Sequence, residues 1–229
     1  MFLLKGLIRH GRGIALLAAI AAIIPPFGAP PVLAQTTATG VQSDPTAGGS
    51  GPLQLVSSAI YRVIRIVQLR PGDAKETGKR QAEIRQAAAE LFDFDEMSRR
   101  LLGQHWTDAS VQEQQDFVAL FTSLLQGAYL NTIGNYPLAT MTFQGETING
   151  PYAQVRSRMV ASNKSVAIEY RLVERDGQWG VYDIAVDGVS LISNYRSQFT
   201  SMLKRMSFAQ VLDRLRNMEA SVKSRQDPD

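Results

Sequence analysis

The chain has 229 residues, with 24 Lys+Arg against 21 Asp+Glu, two His and no Cys. The absence of cysteine excludes a disulfide framework, a thiolate nucleophile and any Cys-based metal site, so a folded form must rest on its apolar core. Hydrophobic residues make up 45% of the sequence, the share of a globular protein and not of a disordered one.

Residues 1–34 read as a secretory signal peptide. Lys5, Arg9 and Arg12 form a basic start, Gly13 to Ile24 is apolar, and Pro25-Pro26 breaks the run. Val32-Leu33-Ala34 supplies the small residue expected before cleavage, near Ala34. The run is well short of the ~20 residues that span a bilayer as a helix. Removing the peptide takes three of the 24 basic residues and none of the 21 acidic ones, leaving 21 against 21. The basic excess therefore belongs to the leader, and nucleic-acid binding loses its main support. About 195 residues remain, enough for one domain or two small ones.

Residues 35–51 are rich in Thr, Gly, Ser and Pro and read as a flexible linker. Pro52 suits the first turn of a helix, and Leu53, Val56, Ala59, Ile60, Val63, Ile64 and Val67 follow at helical spacing. Pro71-Gly72 stops it, and a second, mostly polar helix runs from Ala74 to Leu91. Ser110-Val111-Gln112-Glu113 is a capping box, in which Ser and Glu each satisfy the other's free amide donor. Behind it Phe117, Leu120, Phe121, Leu124, Leu125, Ala128 and Tyr129 make one continuous stripe on a long helix.

From Leu138 the period changes to two. Strands are predicted at 139–148, 152–161, 165–175 and 178–186, with turns at Asn149-Gly150, Ser162-Asn163 and Asp176-Gly177. In the third, Val166, Ile168, Tyr170 and Leu172 alternate with Ala167, Glu169 and Arg171, giving one buried and one wetter face. Two helices close the chain. The first carries Leu191, Tyr195, Phe199, Met202 and Met206; the second opens at Ser207 with Gln210 as its capping partner and buries Phe208, Val211, Leu212 and Leu215. The domain is predicted to span 52–220, with a polar, fraying tail at 221–229. Helices before and after a four-stranded antiparallel sheet make the class α+β.

The catalytic inventory is poor. His105 is the sole histidine after the leader, in Gly103-Gln104-His105-Trp106, where a helix end explains it better than a triad. One His and no Cys make a poor zinc shell, so no metal site and no cofactor are expected. Asp93 or Asp95 is expected to cap the short helix that leads to Leu101-Leu102. Asp183 and Asp187 sit beside Tyr182 and near Tyr195, a set that could pair a carboxylate base with a phenol donor. The plainer reading has Asp183 facing solvent and Asp187 shaping a turn with Gly188. Arg196 has the planar fork that suits a phosphate or a partner's carboxylate.

Three blocks then carry a resemblance. They are Phe92-Asp93-Phe94-Asp95-Glu96-Met97 running to Leu102-Gly103-Gln104-His105-Trp106; Gln114-Gln115-Asp116-Phe117 with Phe121, Leu124, Leu125 and Tyr129; and Trp179-Gly180-Val181-Tyr182-Asp183 leading into residues 187–199. In this order they resemble the MlaC, or toluene-tolerance, family, over about residues 53 to 218. The resemblance implies an NTF2-like α+β fold enclosing an apolar pocket between sheet and helices. It also implies a non-enzymatic periplasmic carrier of phospholipid, or of hopanoid-type lipid as in one branch. Such a carrier would serve an inner-membrane ABC transporter complex and an outer-membrane lipoprotein complex.

The missing catalytic set agrees with that role. Each CH₂ of an acyl chain exposed to water costs ~0.8 kcal/mol, so crossing an aqueous compartment needs a shielding apolar surface and few polar groups. Stripe and strand phase nominate Phe117, Phe121, Leu125, Tyr129, Leu191, Tyr195 and Phe199 as one wall. They set that wall facing Val155, Met159, Ile168, Tyr170 and Val181, with Arg196 toward the headgroup or a partner. Two alternatives stay open: an NTF2-like enzyme using Asp183 or Asp187 with a tyrosine, and a transporter adaptor without cargo.

Overall fold

The computed structural model describes residues 51–69, 74–133, 140–161 and 164–226. The signal peptide, nearly all of the linker, the Pro71-Gly72 stop and the Ser162-Asn163 turn lie outside these residues. In chain order the elements are α1 (Pro52–Leu69), α2 (Ala74–Leu91), α3 (Phe94–Leu102), α4 (Gln104–Asp108) and α5 (Val111–Ile133). They are followed by β1 (Thr140–Asn149), β2 (Tyr152–Ala161), β3 (Lys164–Arg175), β4 (Gln178–Val186), β5 (Val189–Ser190), α6 (Leu191–Leu203) and α7 (Phe208–Gln226).

Local chemistry explains the boundaries. Asp93 caps α3, its Oδ1 accepting from the Glu96 amide at 2.9 Å. At Ser110 the amide donates to Glu113 Oε2 at 2.9 Å, and the Glu113 amide returns the bond to Ser110 Oγ at 3.3 Å. Ser207 and Gln210 repeat the exchange before α7. Each such box satisfies two amides that the first turn cannot pair. α7 continues to Gln226, past the predicted end at 220, and Val222 still packs on the helical core.

The sheet is antiparallel with strands in chain order, β1 to β5. It has five strands where the sequence suggested four. β5 is only two residues long, too short to show an alternation, and it pairs back on β4 through Asp187-Gly188. Asp187 and Gly188 have φ of 47° and 83°, as do Asp176 and Gly177 at 52° and 74°. Both pairs turn within two residues because their backbones enter the left-handed region.

Paired residues share a face of a sheet. Val155 pairs Tyr170, Ser157 pairs Ile168 and Met159 pairs Val166, so these form the apolar face. Arg156 pairs Glu169 and Arg158 pairs Ala167 on the other. The register shifts once between β3 and β4: Arg171 pairs Asp183 while Leu172 pairs Val181, leaving Tyr182 as the extra residue. Such a bulge re-aims its side chains. Here Val181 joins the apolar sheet cluster, whereas Tyr182 packs on a separate helical cluster.

The core accordingly has two main parts. One joins Val155, Met159, Ile168, Tyr170, Leu172 and Val181 to Val56 of α1 and Leu91 of α2. The other joins buried residues of α3, α5, α6 and α7. The chain passes between them at Leu91–Phe94, where the Asp93 amide donates to the Val181 carbonyl at 3.0 Å. Among the described residues no helix is long and apolar enough to cross a membrane.

Candidate functional site

Two apolar surfaces compete for the role of site, and each has a buried centre with a partly buried apolar rim. In the helical cluster Phe117 stacks near Phe121 (5.9 Å between centroids) and meets Phe199 edge-on at 5.3 Å. Phe121 in turn meets Tyr195 at 6.2 Å. Leu125, Leu191, Tyr195 and Phe199 are all buried in this cluster, with Trp106, Tyr182, Met206 and Phe208 among the partly buried residues around it. Its many ring contacts are those of a packed interior.

The sheet's apolar face is covered by α1. Val155, Met159, Ile168, Tyr170 and Val181 are buried at its centre. Around them Leu53, Leu55, Ala59 and Ile60 of α1 and Met141 and Phe143 of β1 are only partly buried. α1 thus lies on the sheet with an apolar rim still open to solvent. Its start is held by the Leu53 amide, which donates to Glu146 Oε2 at 2.6 Å. Its body is tied to α2 by Arg62 and Glu90 at 2.7 Å.

One polar pair lies inside this face. Ser157 is buried and donates to the Ile168 carbonyl at 3.4 Å. Burial pushes the Tyr170 phenol up to about 12, against a smaller opposing effect of its hydrogen bond with Ser157. Tyr170 therefore stays neutral at any ordinary pH, and the face carries no charge at its centre.

The two predicted walls fall in two buried clusters, and Phe92 packs against both. Phe117, Phe121, Leu125, Leu191, Tyr195 and Phe199 belong to the helical cluster, while Val155, Met159, Ile168, Tyr170 and Val181 belong to the sheet cluster. The side chain of Tyr129 lies outside the described residues. Stripe phase states which side of a helix needs cover, not which element supplies it. Here α1 covers the sheet and α5 to α7 cover one another. The partly buried α1 and β1 residues were not among the nominated wall residues. Their signal was present in the apolar spacing from Leu53 to Val67, which the sequence assigned to a helix but to no wall.

The polar candidates make contacts within the fold. Asp183 is 3% exposed, not solvent-facing as expected, because the bulge turns it toward α6. Its Oδ2 accepts from Ser190 Oγ at 2.6 Å and Arg171 Nη1 at 3.1 Å, and its Oδ1 from the Ile192 amide at 3.0 Å. Asp187 is exposed and accepts from the Ala167 amide at 2.9 Å. Arg196 is exposed, and its Nε donates to the Arg100 carbonyl at 2.8 Å. His105 sits in the last turn of α4. No group of three or more His, Asp or Glu among the described residues is placed to hold a metal ion.

The first and third sequence blocks meet at one joint. Gly180 passes so close to Asp93 that a Cβ there would lie 2.9 Å from the Asp93 Cβ. Arg175 Nη1 reaches Asp93 Oδ2 at 2.9 Å, and the Arg100 guanidinium stacks 3.8 Å above the Tyr182 ring. Glu96, buried beneath, pairs with Arg99 and with Arg100 at 2.7 Å. Burial alone would push its carboxyl up, but hydrogen bonds from Arg100 and Arg99 outweigh it and hold the carboxyl below its usual range.

A family model described as MlaC protein matches residues 57–217, most of the chain. The chain belongs to the MlaC family. Among curated proteins, the intermembrane phospholipid transport system binding protein MlaC of Haemophilus influenzae is 20% identical over 122 residues. That match spans 51% of this chain and 57% of the relative. Among solved structures, a phospholipid-binding protein from Ralstonia solanacearum in complex with a phospholipid has a similar fold. The TM-score is 0.66 at 23% identity, covering 75% of this chain and 98% of that one. The first and third blocks hold α3 and α6 to β4, and their polar residues are joints; the second lies on α5.

Proposed function

We propose that this MlaC-family chain is a non-enzymatic periplasmic carrier that binds phospholipid, or a hopanoid-type lipid, and moves it between membrane complexes served by an ABC transporter. The observation that carries the proposal is the incompletely closed apolar interface between α1 and the sheet, with its half-buried rim of Leu53, Ala59, Ile60, Met141 and Phe143. Acyl chains would take the place of water along that rim, at ~0.8 kcal/mol per CH₂ buried. The names of the Haemophilus relative and the Ralstonia structure support phospholipid as the cargo. Export through a cleaved leader at residues 1–34 supplies the compartment, and an N-terminus at Gln35 in the exported protein is the check.

The enzymatic alternative is disfavoured by the carboxylates themselves. Asp183 has both oxygens committed to fold contacts, and Asp187 is bound to a strand amide in solvent. The carrier reading is tested by native mass spectrometry of protein purified from membrane-containing cells. A retained phospholipid mass, removed by organic extraction, is expected. Protein that emerges lipid-free and stays so after incubation with phospholipid vesicles would overturn it.

A further inference from the structure

The wetter face of the sheet carries a second surface, separate from the α1 interface. Along β2 the outward side chains are Tyr152, Gln154, Arg156, Arg158 and Val160. Arg156 and Arg158 are exposed and Val160 is 41% exposed, while Tyr152, 47% exposed, meets the Tyr182 ring edge-on at 6.4 Å with the Arg100 guanidinium 5.6 Å from its centre, so one edge of its ring is left to solvent. Arg62, Arg99, Arg100, Arg171, Arg175 and Arg216 all make ion pairs. Arg156 and Arg158 make none among the described residues.

Their hydrogen-bond partners are hydroxyls. Arg158 Nη1 donates to Ser165 Oγ at 3.0 Å, and Arg156 Nη2 reaches Thr147 Oγ1 at 3.5 Å. The two nearby carboxylates are engaged elsewhere. Glu169, opposite Arg156, pairs with Arg171 at 2.9 Å, and Asp187 is bound to the Ala167 amide. Two arginines whose Cα positions lie about 7 Å apart along the strand are thus left with free donors toward solvent.

We propose that this face docks on an anionic phospholipid bilayer surface, the two arginines taking headgroup phosphates with Tyr152 and Val160 at the interfacial level. Arginine forks match phosphate oxygens bidentately. Tyrosine with one apolar and one wet end suits the headgroup region. A protein partner would call for a packed apolar anchor at the centre of the patch. Here the centre is cationic and the apolar groups are at its ends. Docking by this face is independent of cargo in the α1 interface, so failure of one leaves the other standing.

The test is co-sedimentation of the exported protein with phosphatidylcholine vesicles, with and without phosphatidylglycerol, at low and high salt. Binding is expected with phosphatidylglycerol and lost as salt rises. R156Q/R158Q should weaken it about 30-fold, the effect of two surface arginines. It should leave the urea midpoint and the co-purified lipid unchanged. R85Q/R214Q removes two exposed arginines on α2 and α7 and the same net charge; less than about a threefold loss is expected, since neither lies on the docked face. Equal losses in the two double variants would overturn the proposal, as would a wild type indifferent to phosphatidylglycerol.

Discussion

Ser190 donates a 2.6 Å hydrogen bond to Asp183, and the same Ser190 oxygen accepts the Ser193 amide at 3.0 Å, so one hydroxyl locks β4 to the start of α6. Asp183 completes the lock by accepting the buried Ile192 amide. The direction of α6 over the sheet is set here. Asp183→Ala leaves an amide and a hydroxyl without a partner and Arg171 with one carboxylate fewer. A loss of about 3 kcal/mol is expected in urea denaturation. A loss under about 1 kcal/mol would mean that packing of Leu191 and Ile192 sets the joint instead.

Glu96 makes a pH-dependent contribution to stability. It is 1% exposed and held below the usual range by Arg100 and Arg99. A folded value lower than the unfolded one stabilises at any pH above the unfolded value, near 4.5. That stability drains away as pH falls through the folded value. Stability should therefore be flat in this respect from pH 8 to 5 and fall below about 4.5. Glu96→Gln should cost about 3 kcal/mol at pH 7 and flatten the acid limb, read as urea midpoints against pH.

Much of the fold was legible because it is written locally. Three boundary predictions at Asp93, Ser110 and Ser207 rest on side chains that satisfy amides within three residues. The strand ends follow from Asp-Gly pairs whose backbones turn with positive φ. The bulge at Tyr182 and the two-residue β5 were not legible, since each is fixed by partners distant in sequence or by a register. The same limit governs the site. Periodicity marks Val155 and Phe117 equally as buried, but whether each faces α1 or another helix depends on how the chain passes the edge of β4 at Asp93. Gly180 records that passage, yet one glycine in a strand does not say what approaches it.

Tyr170 provides a spectroscopic check on the sheet face. Burial raises its phenol to about 12, and Tyr195 is raised to about 12 by burial as well. Raised folded values stabilise the fold fully below the unfolded value near 10, and that contribution is lost as pH climbs toward 12. Absorbance titration of the folded protein should show tyrosinate signals delayed toward pH 12, with Tyr170→Phe removing one. Complete tyrosine ionisation by pH 11 in protein that is still folded would contradict the burial of both rings.

The two apolar surfaces are separated by a pair of equally bulky substitutions. Ala59 lies half-buried where α1 meets the sheet, and Leu125 is buried in the helical cluster. Ala59 is only partly buried on the apolar rim, so a tryptophan there is expected to extend along it and fill the place proposed for acyl chains. Ala59→Trp should leave the urea midpoint near wild type and lower co-purified phospholipid about tenfold, equivalent to about 1.4 kcal/mol of binding. Leu125→Trp must instead force an indole among Phe121, Tyr195 and their neighbours, so it should cost about 1–3 kcal/mol of stability. Its cargo should persist in whatever fraction stays folded. Phospholipid extraction per folded protein, run on both variants, decides between the surfaces. Loss of cargo in Leu125→Trp with retention in Ala59→Trp would move the binding site from the α1 interface to the helical cluster.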